Sequence, residues 1–240
     1  MTPHLLLFGA SGGIASALIS DLSDKGWNIT AVSRSPENVL TSDQVTAVEG
    51  DATVESGVRA GFDAAEETGP VTAVVNCLGN VFLKPIHRTS AAEFSEVMRL
   101  HVFSSFLILH EACGRLPKES SVVLLSSVAA RTGLPNHETI SAAKGAVEGL
   151  VRSAAATYAP KRIRINAVAP GLTETPATKH LCTSPAREVS EKMHPLGRIG
   201  TPEDISSAIQ YFIDPAHSWV TGQILNVDGG LGHLRGLPGR

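Results

Sequence analysis

Short β-branched runs alternate with longer stretches of helical period along the chain, and this alternation limits the possible folds more than any other feature. Strand-like runs stand at His4–Phe8, Asn28–Ser33, Gln44–Glu49, Val71–Asn76, Ser121–Leu125, Ile163–Val168 and Gln223–Val227. Several are apolar without a break, as in Val122-Val123-Leu124-Leu125, which suits parallel strands covered by helices on both faces. Between them Gly13–Lys25, Val54–Glu67, Ala91–Arg115, Thr139–Tyr158 and Glu203–Ile213 read as helices. In the first of these, Ile14, Leu18, Ile19 and Leu22 share one face. The alternation predicts an α/β fold: a seven-stranded, mainly parallel, doubly wound sheet with helices on both faces. Right-handed crossovers gather the loops after the strands at one edge, where ligands bind. A chain of 240 residues can bury its core as one unit, so residues 1–240 are expected to form a single domain.

A net charge of −3 leaves no electrostatic footprint for nucleic acid or an anionic membrane. The apolar stretches are too short to cross a bilayer. Met1-Thr2-Pro3-His4 runs straight into the first strand without a basic n-region, so no export signal is expected. Cys77, Cys113 and Cys182 are spaced too irregularly for a disulfide framework or a zinc site, and Cys77 and Cys113 read as buried thiols. Together these features predict a cytoplasmic protein with no metal and with a small molecule as partner. The stretch from Leu172 to Pro195 breaks the rhythm with Pro176, Pro185 and Pro195. It reads either as a lid or substrate loop, about 172–195, or as a plain surface excursion. The Gly-rich tail Gly232–Arg240 reads as irregular.

The first strand ends in Gly9-Ala10-Ser11-Gly12-Gly13-Ile14-Ala15, and a helix follows at once. A helix N-terminus offers unpaired N–H groups and partial positive charge to a pyrophosphate, and glycines let the backbone come close. A glycine cluster that follows a strand and opens a helix is the context of a Rossmann-type dinucleotide site. No Gly-Lys-Ser/Thr follows, so it is not a P-loop. NAD-binding folds usually place an acid after the second strand. Here the chain reads Ala31-Val32-Ser33-Arg34-Ser35. Arg34 can pair with a 2′-phosphate in bidentate fashion, with Ser33 and Ser35 adding hydroxyl contacts, or it is a solvated surface arginine. The first reading predicts NADP(H) in preference to NAD(H).

Over nearly its whole length the chain resembles the short-chain dehydrogenase/reductase family. That family opens with a Thr-Gly-x-x-x-Gly-Ile-Gly turn; here Phe8 stands for the Thr and Ala15 for the last Gly. The resemblance implies adenine contact at Asp51, followed by Ala52. It matches the family's Asn-Asn-Ala-Gly element to Asn76-Cys77-Leu78-Gly79. It also implies that Pro170, Gly171, Thr173 and Thr175, after Asn166-Ala167-Val168-Ala169, touch the nicotinamide end of the cofactor. The segment from Thr221-Gly222-Gln223 to Val227-Asp228-Gly229-Gly230 is similar to the family's C-terminal block.

Members of the family use a Ser, a Tyr and a Lys, with an Asn behind them. The Tyr exchanges the proton, and the Lys holds the nicotinamide ribose and lowers the Tyr pKa from its usual ~10. Here the helix reads Ile140-Ser141-Ala142-Ala143-Lys144: Lys144 is in place, and Ile140 occupies the tyrosine position. The Ser position falls on Ser127 and the Asn position on His101. The only tyrosines, Tyr158 and Tyr211, lie elsewhere. Isoleucine moves no proton, and general acid–base catalysis typically contributes about 10²–10⁴ in rate. Three explanations stay open. His101 supplies the proton, since an unperturbed histidine titrates near ~6.5, with His137 and Glu138 as further candidates. Or the substrate needs no protein acid. Or the chain binds NADP(H) as a sensor or scaffold without reducing anything. Each histidine also has a bland reading, His101 as a packed helix residue and His137 as a cap. The expected activity is NADP(H)-dependent oxidoreduction of a carbonyl/alcohol pair, with Ser127 polarising the carbonyl. In the resembled family the helices around Ala91–Arg115 and Thr139–Tyr158 pair across a two-fold axis, which implies a homodimer or homotetramer.

Overall fold

The structure, a computed structural model, describes residues 2–234, so the irregular tail expected over 232–240 lies outside the described residues from 235 on. Its strands are β1 (His4–Phe8), β2 (Asn28–Ser33), β3 (Val45–Glu49), β4 (Ala73–Asn76), β5 (Ser121–Leu125), β6 (Arg164–Pro170) and β7 (Ile224–Val227). Its helices are α1 (Gly13–Ser23), α2 (Glu55–Thr68), α3 (Ala91–Met98), α4 (Ser104–Arg115), α5 (Glu138–Tyr158), α6 (Ala186–Met193) and α7 (Pro202–Ile213). The strands lie in the order β3-β2-β1-β4-β5-β6-β7, and every neighbouring pair is parallel. The expected sheet is therefore present, and parallel throughout.

Side chains of a strand point alternately to its two faces. Leu6 and Phe8 of β1 join one apolar cluster with Val58 and Phe62 of α2, Ile108 of α4 and Val151 of α5. Leu5 and Leu7 join the other with Leu18 and Ile19 of α1 and Ile209 and Phe212 of α7. Both faces are thus covered, which is why the central strands are apolar without alternation.

Two stretches depart from the sequence reading. The helix expected over Ala91–Arg115 is broken in the middle by a π turn, Arg99–Phe103. The extra residue leaves main-chain carbonyls poorly paired, and serine hydroxyls take them up. Ser104 Oγ donates to Leu100 O at 2.6 Å and Ser105 Oγ to His101 O at 2.7 Å. The 172–195 stretch contains a helix, α6, which its prolines and mixed polarity hid from the sequence reading. Cys77 also differs from expectation. It is only partly buried, because it sits on a cavity wall at the end of β4, whereas Cys113 is buried as expected.

From β1 the chain winds outward to β3 on one side and from β4 to β7 on the other, so the winding reverses between β1 and β4. A reversal of this kind opens a crevice at the carboxyl ends of the two strands.

Phe62 is fully buried, with its ring centroid 6.0 Å from that of Phe8. Phe62→Ala is expected to lower the unfolding free energy by about 3–5 kcal/mol. Urea unfolding followed by circular dichroism measures it, and a loss under about 1 kcal/mol would show that this face of the sheet is not tightly packed.

Candidate active site

The crevice begins where β1 ends. Gly9 has φ +75, and a Cβ there would lie 2.7 Å from Leu78 N and 2.9 Å from Cys77 C. The turns after β1 and β4 therefore touch through backbone. Gly12 caps α1 in extended conformation, with no side-chain cap and no acidic residue in the first turn. The first intrahelical bond runs from Ser16 N to Gly12 O, which leaves the N–H groups of Gly13, Ile14 and Ala15 for an anion. Ser11 and Gly12 are exposed. Ser33 Oγ donates to Ser11 Oγ at 3.0 Å and accepts from Ser35 N at 3.1 Å, tying the end of β2 to this turn.

Arg34 is exposed at the end of β2. Burial pushes the Asp51 carboxyl up, but two bonds from Thr53 and the charges of Arg34 and Arg99 outweigh it and hold Asp51 below its ordinary value. Thr53 N and Oγ1 both reach Asp51 Oδ1, at 2.9 and 2.7 Å, and Ala52 is buried beside it. Arg34 and Asp51 thus lie together beyond the glycine turn. Asn76 serves the cleft differently from a direct contact residue. It is buried, its Oδ1 accepts from Leu78 N at 3.0 Å, and its Nδ2 donates to Ser105 Oγ at 3.2 Å. Both ends of its amide are engaged within the chain, so it shapes the Leu78-Gly79 turn.

At the inner end of the cleft, α5 delivers Lys144. Its ammonium is buried and donates to Leu125 O at 2.7 Å. Burial lowers its pKa to about 8, against the opposing effect of the Cys77 thiol. Burial likewise pushes the Cys77 thiol up to about 12. His101, placed by the π turn, is 2% exposed. Its Nε2 lies 3.1 Å from Asn80 Oδ1, and its Nδ1 has no hydrogen-bond partner among the described residues. Asn80 Oδ1 can only accept, so Nε2 carries the proton and Nδ1 presents a lone pair. Burial, helped by the Lys144 charge, drives the His101 pKa down to about 2. The expectation of a histidine titrating near neutrality is therefore corrected: burial holds His101 in its neutral form, with the Nδ1 lone pair free of protein donors among the described residues. Gly79 lets the two groups converge, because a Cβ there would lie 3.1 Å from His101 Cε1 and 4.0 Å from Lys144 Nζ.

Ile140 is buried in an apolar knot with Val97 and Ala143, against Phe82, Met98 and Val102. Ser127 follows β5 and accepts from Ala129 N at 3.2 Å, which leaves its own hydrogen for a ligand. The neighbouring Ser126 donates to Glu148 Oε1 at 3.0 Å, and the Glu148 carboxylate accepts from Arg131 Nε at 2.7 Å. Sequence reading missed this brace and Asn80. Glu148 lies one turn beyond Lys144 on the buried face of α5, and a charge at that period was its available signal. His137 caps α5 and lines the cavity, with Nδ1 2.7 Å from Pro135 O, and Glu138 is exposed.

These groups open on a cavity of about 560 Å³, bounded by Ser127, Ile140, Lys144 and His101 on one side and by Pro170–Thr178 and α6 on the other. Gly171 is needed where it stands, since a Cβ would lie 2.7 Å from His194 Nε2 and 3.0 Å from Asp228 Cα. Thr173 is buried and bridges to Gly200. Beyond it, a Cβ on Gly13 would meet Pro176 at 3.1 Å and Thr175 at 3.2 Å, so the loop after β6 closes onto the start of α1. Of the residues expected to contact the cofactor, Ile14, Leu78, Gly79, Lys144, Pro170, Gly171, Thr173 and Thr175 line this cavity, while Arg34, Asp51 and the glycines of the first turn lie outside its lining. The missing Cβ atoms of the turn and the uncapped helix start fit a dinucleotide phosphate.

Among the described residues no helix is long and apolar enough to cross a membrane, and no group of His, Cys, Asp and Glu could hold a metal ion. Residues 9–232 match the family model described as enoyl-(acyl carrier protein) reductase. The chain is 34% identical over 241 residues to a chloroplastic tropinone reductase homolog of Arabidopsis thaliana, covering 94% of this chain and 74% of the relative. It is 32% identical to 2-(S)-hydroxypropyl-CoM dehydrogenase 3 of Xanthobacter autotrophicus, covering 95% of each. The ligand-free aldohexose dehydrogenase of Thermoplasma acidophilum superposes with a TM-score of 0.89 at 26% identity, covering 100% of this chain and 97% of that one.

Lys144 makes stability depend on pH. Below about 8 both folded and unfolded chains carry the charge, and the folded state bears the full burial cost; between about 8 and 10.5 only the unfolded chain holds the proton, so stability rises with pH. In urea titrations from about pH 7 to about pH 10, wild type is expected to gain stability relative to Lys144→Met. A flat difference would show an ordinary, solvated lysine.

Proposed function

This chain belongs to the short-chain dehydrogenase/reductase family, and from that premise we propose that it is an NADP(H)-dependent oxidoreductase of a carbonyl/alcohol pair whose proton moves through Lys144 rather than a tyrosine. The observation that supports it is the helix start at the crevice: an uncapped glycine turn opens α1, with Arg34 exposed at the end of β2 and a buried lysine in the cavity that Ile14 of α1 also lines. The turn and the free N–H groups of α1 would hold the pyrophosphate. Arg34 would pair with the 2′-phosphate, Asp51 would face the adenosine, and Lys144 and the Pro170–Thr175 loop would hold the nicotinamide end. When bound, the cofactor supplies hydride exchange with the carbonyl carbon.

The chain's own groups do the rest. Ser127 Oγ–H donates to the substrate oxygen. Lys144 has three hydrogens, of which one goes to Leu125 O. With a pKa of about 8 it is mostly protonated at neutral pH, yet acidic enough to release a proton to the oxygen as charge develops there. His101 Nδ1, neutral and unpaired, accepts from a hydroxyl or a water beside Lys144. One observation favours a second reading, a catalytically impaired NADP(H)-binding sensor or scaffold: the tyrosine position holds an isoleucine packed with Val97 and Ala143, which offers the cavity no polar atom. Assembly as a homodimer or homotetramer accords with Phe103 and Phe106, half-exposed and stacked 6.1 Å apart on the outer side of the α4 region.

NADPH fluorescence titration, followed by oxidation with a panel of ketones and quinones, tests the main reading. Turnover is expected, with kcat/KM for reduction falling as pH rises through about 8 and that for oxidation rising. If NADPH binds but no carbonyl is reduced at any pH, the sensor reading wins. Ile140→Tyr is expected to raise ketone turnover, by up to about 10²-fold. Arg34→Ala should weaken NADPH by about 1.5–3 kcal/mol and leave NADH nearly unchanged. Equal loss for both cofactors overturns the 2′-phosphate assignment.

A further inference from the structure

The cavity has walls that say what it takes. Among the described residues no Asp, Glu or Arg lines it, and Lys144 is the only fully charged side chain in its lining. That ammonium is at the innermost end, already bonded to Leu125 O. A carboxylate or phosphate carried by a substrate would leave water here without a counter-charge, which is costly.

The outer wall is α6. Ala186, Val189, Ser190 and Met193 line the cavity, at the spacing of one helix face. The other face is charged: Arg187 pairs with Glu191 at 2.8 Å and with Glu174 at 2.9 Å. The apolar face is left largely uncovered by the described residues, for no residue of α6 is buried, and Val189 and Met193 stay 58% and 44% exposed. Across the cavity Val81 and Leu83 are exposed as well. Four large exposed apolar side chains from two distant segments therefore ring one opening. An exposed apolar cluster of this kind marks a binding surface.

Resting on the oxidoreductase reading, we propose that the substrate is an uncharged, largely apolar carbonyl compound, whose hydrocarbon body covers the Ala186–Met193 stripe and whose oxygen reaches Ser127. The cavity therefore selects against carbonyl compounds that bear a carboxylate or phosphate on that body. Val189 sets this preference, since it stands at the centre of the exposed stripe.

The test uses two ketones of equal length, neutral 2-nonanone and anionic 8-oxononanoate, titrated by calorimetry into the full chain with and without saturating NADPH. The neutral ketone is expected to bind at least about tenfold more tightly, a difference of about 1.4 kcal/mol. Val189→Arg is expected to weaken 2-nonanone by a similar factor and to strengthen 8-oxononanoate, with NADPH affinity unchanged. Lys192→Ala, on the opposite face of α6, should alter neither ketone. Equal affinities, a preference for the anion, or binding of neither ketone by a chain that binds NADPH would overturn the substrate class. A chain that prefers 2-nonanone but binds no NADPH would overturn the cofactor reading alone.

Discussion

The turn after β1 lies so close to the turn after β4 that a Cβ on Gly9 would sit 2.7 Å from Leu78 N, and the rest of the site is built around that contact. It occurs where the winding of the sheet reverses, so no crossover helix separates the two strand ends. On one side of it, α1 starts with bare N–H groups and no acidic residue. On the other, Asn76 bends the chain so that Gly79 faces His101 and Lys144. A side chain at residue 9 would push these turns apart and separate the phosphate end of the site from its reactive end.

The reactive end is governed by desolvation. Lys144, His101 and Cys77 share one poorly hydrated corner, and each is driven toward its neutral form, with pKa values of about 8, about 2 and about 12. Burial disfavours charge whatever its sign, lowering the pKa of bases and raising that of acids. Of the three, only the lysine reaches a pKa useful for proton transfer near neutrality. On the proposed reading, with Ile140 at the tyrosine position, Lys144 is the proton source of this corner and His101 Nδ1 its unpaired acceptor. The π turn in the α3–α4 region is what places that ring, and irregular helix turns of this kind are frequent at functional sites.

Polarity differs across the site. Arg34 and Asp51 stand beyond the glycine turn, outside the cavity, whereas the cavity is walled by Ile140, Leu83, Val189 and Met193. Ser126, Glu148 and Arg131 form the brace that holds the Ser127 loop between the two regimes. The brace is itself buried at Glu148, so it keeps the loop in place without offering charge to the cavity.

Strand positions, most helix positions and the glycine turn were legible in the sequence because each rests on local pattern, whereas the order of the strands in the sheet came only from the structure. Unbroken apolar runs mean strands covered on both faces, a 3.6-residue period means a helix against them, and glycines between a strand and a helix mean close backbone approach. Ser127, Ile140 and Lys144 were placed by the resemblance to the family's Ser, Tyr and Lys positions. Helix α6 was not legible, for its eight residues lie among prolines and its apolar face covers a cavity rather than the core. Nor was the neutrality of His101, the engagement of Asn76 within the chain, or the Glu148 brace. Those depend on how much water remains around a group and on which distant segment lies beside it. The sequence by itself determined the fold class and, through the family resemblance, named the candidate residues of the cleft. Only the tertiary structure decided their protonation and the apolar character of the cavity, because desolvation is a property of the packed surroundings and not of any local run of residues.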